Sequence, residues 1–130
     1  MRSRILIVED NQPNRELLSD WLEAEGYEVL SAENLREGFA ALEKPDIGAI
    51  LLDVQLGDED GLALAQWVRK QEQLRNLPII AVTAHAMVTD HERVIKAGCN
   101  ACVSKPIDFG LLHREITRWL GQPAYSPPIS

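Results

Sequence analysis

Groups able to do chemistry recur at one kind of place in this chain, the end of an apolar run. Ile5-Leu6-Ile7-Val8 leads into Glu9-Asp10, and Ile50-Leu51-Leu52 into Asp53. Ile79-Ile80-Ala81-Val82 leads into Thr83, and Ala101-Cys102-Val103 into Ser104-Lys105-Pro106. A lone Asp among these reads as a helix cap or a solvated loop charge. Four strand ends delivering carboxylates, a hydroxyl and an ammonium to one rim form a pattern that chance rarely gives. Three carboxylates within several ångströms raise one another's pKa values unless a cation neutralises them. Oxygen-only ligands suit a hard cation, and Mg²⁺ is bound by few carboxylates while keeping waters and taking phosphate oxygens; Mn²⁺ fits the same donors. A metal, a Lys and a Thr hydroxyl around one carboxylate can stabilise a transferring phosphoryl group. No glycine-rich phosphate loop accompanies them, so a nucleotide is not the obvious donor.

The elements that must position these groups alternate along the chain. Arg4–Val8 reads as a buried parallel strand. Asn11 caps a helix with Pro13 in its first turn and Leu17, Leu18, Trp21 and Leu22 at helical spacing, and Gly26 ends it. Residues 27–31 form a weaker strand, residues 34–42 a second helix stopped by Pro45, and residues 47–52 the central strand, which ends in Asp53. An acidic loop follows, then a third helix over 61–71, a strand over 78–83, a polar, weakly patterned fourth helix over 88–97 closed by Gly98, a strand over 101–104, and a last helix over 108–120 stopped by Gly121. Five strand–helix pairs in alternation imply a doubly wound α/β fold with a five-stranded parallel sheet and five helices, because parallel strands need right-handed crossovers. In such a sheet ligands bind beyond the carboxyl ends of the strands, where the strand order reverses.

The bulk properties narrow the function. The chain has 130 residues, 45% of them hydrophobic and 25% charged, the balance of one globular domain. A net charge of −7 argues against nucleic acid as a direct partner. No apolar run approaches the roughly 18 residues of a membrane span, so no membrane partner and a cytoplasmic location are expected. Residues 1–121 read as one domain and 122–130, with three prolines, as a flexible tail. Cys99 and Cys102 form a lone Cys-x-x-Cys, open to redox or zinc chemistry or, more simply, two reduced thiols near a strand.

The motifs at 5–11 (Ile-Leu-Ile-Val-Glu-Asp-Asn), 51–56 (Leu-Leu-Asp-Val-Gln-Leu), 79–87 (Ile-Ile-Ala-Val-Thr-Ala-His-Ala-Met) and 97–108 (Ala-Gly-Cys-Asn-Ala-Cys-Val-Ser-Lys-Pro-Ile-Asp) together resemble the receiver (response-regulator) domain of two-component phosphorelay signalling. The resemblance spans about residues 4–120. It implies a flavodoxin-like sheet of order 2-1-3-4-5. It implies that Asp53 accepts a phosphoryl group from a histidine kinase or histidine phosphotransfer protein. Glu9, Asp10, Asp53 and the Gln55 backbone carbonyl would hold Mg²⁺, Lys105 would pair with phosphoryl oxygens, and Thr83 would swing to the phosphoryl group. The Lys105–Pro106 bond would be cis. Gln55 and His85 lie where the family varies and would tune the phosphoryl lifetime; His85 reads as a catalytic base or as a loop-surface histidine. Output would pass to a downstream protein through the fourth helix, fifth strand and fifth helix.

Two positions depart from the pattern. Cys102 stands where many receivers carry Tyr or Phe, and Gly57 where proline often follows the phosphorylated strand. Trp67 and Trp119 mark an interface or pack on neighbouring elements. Two other readings compete with a signalling switch that is not an enzyme. A small Mg²⁺-dependent phosphatase would want a second Asp soon after the nucleophile, but Gln55 stands there. A phosphate-independent binding module would leave the set Glu9, Asp10, Asp53, Thr83 and Lys105 unexplained. The initiating Met and the proline tail favour a free-standing protein over a receiver excised from a hybrid kinase.

Overall fold

The computed structural model describes residues 4–84 and 88–120. In chain order the elements are β1 (Arg4–Val8), α1 (Gln12–Ala24), β2 (Glu28–Ala32), α2 (Leu35–Ala41) and β3 (Ile47–Asp53). They continue with β4 (Gln55–Leu56), β5 (Glu59–Asp60), α3 (Leu62–Lys70), β6 (Ile79–Thr83), α4 (Val88–Lys96), β7 (Ala101–Ser104) and α5 (Phe109–Leu120). The main sheet is parallel with order β2-β1-β3-β6-β7, which is 2-1-3-4-5 when only its own strands are counted.

The apolar runs are continuous because both faces of the sheet are covered. Side chains alternate across a strand, so Ile5, Ile7, Ala49, Leu51 and Ile80 face one side, packed with Leu18 and Leu22 of α1 and Leu112 and Ile116 of α5. Leu6, Val8, Ile50, Leu52 and Ala81 face the other, against Leu64, Ala65 and Val68 of α3 and Val94 of α4. At about 25 cal/mol per Å² of buried apolar area, these two layers dominate the stability of the domain. Both faces must be occupied for the strand ends to stay in register, so the packing fixes the rim on which the polar groups sit.

Helix boundaries follow local chemistry. Asn11 Oδ1 accepts from Asn14 N at 2.9 Å, so the predicted N-cap of α1 is made, and Asn34 Oδ1 accepts from Glu37 N at 2.8 Å, capping α2 one residue before its first helical turn. Gly26, at φ 101°, closes α1 together with the bond from Tyr27 N to Leu22 O. That bond draws Tyr27 into the helix terminus, so β2 starts one residue later than the sequence pattern suggests. The acidic segment expected as a loop is instead paired: Gln55 opposes Asp60 and Leu56 opposes Glu59 around a turn that Gly57 enters at φ 60°. Among the described side chains of α4, only Val94 is buried, in keeping with its weak apolar pattern.

One arginine ties the far end of the sheet together. Arg69 of α3 donates to the carbonyls of Gly98, Arg75 and Leu77 and to Asn100 Oδ1, which also accepts from Ile79 N. Trp67 packs edge-on against Phe39, with centroids 5.1 Å apart, and Trp119 Nε1 donates to Glu115. Each ring therefore has a neighbour and still keeps an exposed edge. Cys99 is buried and Cys102 half-buried, both as free thiols. Neither joins a cluster of possible metal ligands among the described residues. Within those residues no helix is long and apolar enough to cross a membrane. Gly121 and the expected tail at 122–130 lie outside the described residues.

Candidate functional site

The strand order reverses between β1 and β3, and the predicted residues meet beyond the carboxyl ends there. Glu9 and Asp10 follow β1, Asp53 ends β3, Thr83 ends β6 and Lys105 follows β7. Asp53 sits opposite Val82 in the ladder, which places Thr83 one step beyond it. Lys105 N donates to the Thr83 carbonyl at 2.8 Å, holding the β7 exit against the β6 exit. The Lys105–Pro106 peptide bond is cis.

The ammonium of Lys105 contacts two carboxylates at once, Asp53 Oδ2 at 3.0 Å and Glu9 Oε1 at 3.2 Å. Both acids are almost fully buried, Asp53 at 4% and Glu9 at 2% exposure, whereas Asp10 is exposed. Glu9 Oε2 accepts from Asn11 N, and Asp53 Oδ1 from Gln55 N. Burial raises the Glu9 carboxyl to about 6; the Asp53 charge adds to the rise, while the Asn11 amide and Lys105 oppose it. Burial alone would lower the Lys105 pKa, but hydrogen bonds and charge from Asp53 and Glu9 outweigh it and the net shift is upward.

One oxygen from each of Glu9, Asp10 and Asp53 lies within 4.8 Å of the others. Carboxylates crowded so closely, with one lysine between two of them, have the donor chemistry for a hard divalent cation. A cleft of about 320 Å³ opens beside them, lined also by Asn14, Gln55 and Gly57. The Gly57 turn leans toward Asp10, since a Cβ there would stand 3.8 Å from Asp10 Oδ2.

The structure brings Glu9, Asp10, Asp53, Gln55, Thr83 and Lys105 to one rim, while His85 lies outside the described residues. Two of the three acids after Gly57 are engaged elsewhere in the fold. Glu59 accepts from Leu35 N at the start of α2, and Asp60 accepts from Leu62 N and pairs with Arg93 of α4. Arg15, which the sequence pattern does not single out, joins the site: its Nη1 donates to the Glu9 carbonyl at 2.8 Å and the Asp10 carbonyl at 3.4 Å. Its place one helical turn after the Asn11 cap, beside the acidic pair, was the available signal. Gly61, in sequence simply the start of a helix, packs directly on the Asp53 backbone.

A doubly wound sheet with three carboxylates, a hydroxyl and a lysine at its switch point defines a flavodoxin-like fold with an acidic site at its carboxyl edge. Residues 5–117 match the response regulator receiver domain family. The chain is 41% identical to the polar-differentiation response regulator DivK of Brucella anthropi over 123 residues, covering 93% of this chain and 98% of that one. A solved receiver domain of a sensor histidine kinase from Pseudomonas aeruginosa, with a magnesium ion coordinated in its active-site cleft, shares 35% identity with it. That comparison has a TM-score of 0.84 and covers 93% of this chain and 99% of the other. The signal receiver domain of a histidine kinase from Syntrophus aciditrophicus is 30% identical with a TM-score of 0.83, covering 98% and 97%. The chain belongs to the response regulator receiver family of two-component signalling. It is thus a signalling protein rather than a conventional enzyme, of a class whose members interact with histidine kinases and downstream proteins.

Proposed function

We propose that the protein is a phosphorylation-activated switch whose acceptor is Asp53. The observation that carries this reading is the Lys105 ammonium held between the buried carboxylates of Asp53 and Glu9. An Asp53 oxygen attacks the phosphorus of a phosphohistidine on a histidine kinase or phosphotransfer protein. The P–O bond forms as the P–N bond breaks, and the departing imidazole nitrogen takes up a proton. Lys105, already 3.0 Å from Asp53 Oδ2, is within reach of the oxygens of the incoming group. Thr83, next to the residue paired with Asp53, supplies a hydroxyl from the neighbouring strand.

Glu9, Asp10, Asp53 and the Gln55 carbonyl would hold Mg²⁺, or Mn²⁺ in its place, and when bound the ion neutralises charge on the acceptor and the phosphoryl oxygens. That three carboxylate oxygens already lie within 4.8 Å of one another supports this assignment. The same residues account for slow self-dephosphorylation, with Gln55 at the rim and His85 expected to set its rate.

The output passes to a protein partner through α4, β7 and α5 of a cytoplasmic protein. In support, Ile95 of α4 and Trp119 of α5 keep exposed apolar surface. Cys102 is half-buried and feels the charge of Asp90 on α4. It has no ring to turn inward, so movement of Thr83 and α4 carries the signal. Residues 1–121 are the switch and 122–130 a tail.

The test is intact-mass spectrometry after treatment with a small phosphodonor and Mg²⁺. A single labile phosphoryl adduct on the wild type, absent from Asp53→Asn and from metal-free samples, is the expected result. No adduct under any condition overturns the reading in favour of a phosphate-independent binding module.

A further inference from the structure

Among the described residues, Lys105 and Arg15 both approach the acidic triad, from different sides. Lys105 meets its carboxylates, whereas Arg15 meets its backbone. Arg15 Nη1 donates to the carbonyls of both Glu9 and Asp10, and Nη2 lies 3.7 Å from Glu33 Oε2 on the loop before α2. The Arg15 side chain is only 17% exposed while that of Glu33 is 54% exposed, so the guanidinium is packed into the turn rather than drawn out by the acid.

The chain leaves the sheet at this point. The bond from Glu9 N to Ala32 O is the end of the ladder to β2, and α1 begins at Gln12. Between them, the two peptide planes that follow Glu9 and Asp10 set the directions in which the neighbouring carboxylates leave the backbone. One end of the guanidinium, bonded to both carbonyls, restrains both planes together. A guanidinium suits this because its donors form a rigid planar fork, whereas an ammonium is a point charge on a flexible stem.

We propose that Arg15 is a positioning residue for the divalent-cation site, holding the Glu9–Asp10 turn so that both carboxylates converge with that of Asp53. This rests on the metal site proposed above. The opposite influence is simple repulsion, since an added positive charge near the triad disfavours a cation. The two effects predict opposite signs on removing Arg15. Groups that orient metal ligands typically contribute about 10- to 100-fold in affinity. Repulsion is weakened because the guanidinium is bonded to two carbonyls and lies beside the Glu33 carboxylate, so positioning wins.

Isothermal titration of the full chain with MgCl₂ decides the matter, on the wild type, Arg15→Lys and Arg15→Gln, with Glu9→Gln as a control. Circular dichroism of each metal-free variant confirms that it is folded at the titration temperature. The expected result is Mg²⁺ affinity about tenfold weaker in both Arg15 variants, with Arg15→Lys giving little rescue although it keeps the charge. Unchanged affinity in both, full rescue by Lys, or tighter binding by Arg15→Gln would each overturn the positioning role while leaving the metal site standing. Absence of Mg²⁺ binding by the wild type would instead overturn the metal site, and this inference with it.

Discussion

Gly61 packs against the Asp53 main-chain carbonyl so closely that a Cβ on it would lie 2.0 Å from that oxygen. The Gly61 amide donates to Val54 O at 2.7 Å, which fixes the approach. Its φ of −57° is ordinary helical backbone, so space rather than conformation demands glycine here. Gly61→Ala must push the end of β3 away from α3, at a cost of about 1–3 kcal/mol by urea denaturation, and phosphorylation of Asp53 should slow with it. Gly38→Ala is the contrast. Its Cβ would meet Val8 Cγ2 at an ordinary 3.5 Å inside α2, so helix propensity should make it neutral or stabilising by up to about 1 kcal/mol.

Lys105→Met removes a cation in contact with two buried carboxylates. Breaking a buried pair costs about 3–5 kcal/mol, and because the Lys105 side chain is 23% exposed, the expected loss for the metal-free protein at pH 7.5 is nearer 2 kcal/mol. Mg²⁺ should recover part of it by replacing the lost charge. Equal urea midpoints for wild type and variant without metal would show that the ammonium does not compensate the acids.

Proton and metal should compete at Glu9. Its folded pKa, about 6, lies above the ordinary 4.5, so the folded state binds this proton more tightly than the unfolded chain does. The resulting stability, about 2 kcal/mol at most, is present below pH 4.5 and lost as pH rises through 6. Metal-free protein should therefore lose this contribution between those values. Mg²⁺, which needs the carboxylate, should stabilise only above them, its affinity falling about tenfold per pH unit below 6. Urea unfolding across pH 4.5–8, with and without Mg²⁺, checks both signs, and Glu9→Gln should flatten them.

The two thiols should differ in reactivity. Burial pushes Cys99 up to about 12, with Arg69 opposing and Cys102 adding to the rise. Iodoacetamide at pH 8 should label the half-buried Cys102 slowly and leave Cys99 untouched until the domain unfolds, when mass spectrometry should show two adducts. Because the folded pKa is raised, the Cys99 contribution to stability is intact at neutral pH. It disappears as pH climbs from the ordinary thiol range toward 12.

Much of the site was legible because its members end apolar runs. Asp53 follows Leu52 and Lys105 follows Ser104, so once each run is a parallel strand, its last residue must reach the same edge. The β4–β5 hairpin was missed because two-residue strands have no periodicity to read. Arg15 was missed because a charged residue on the first turn of a helix looks the same whether it faces solvent or reaches back to a backbone carbonyl.

The amino-acid sequence by itself determined the order of strands and helices, the cap at Asn11 and the identity of the groups at the strand ends. These depend on local pattern, the pairing of a residue with its near neighbours along the chain. The tertiary structure alone decided which groups touch. Lys105 bridges Asp53 and Glu9, Arg15 grips the Glu9–Asp10 backbone, and Gly61 leaves no room above Asp53. Each is a distance set by how α1, α3 and β7 pack on a shared sheet. A hydrogen bond or a steric overlap is won or lost within about an ångström, a resolution that periodicity along a chain does not carry.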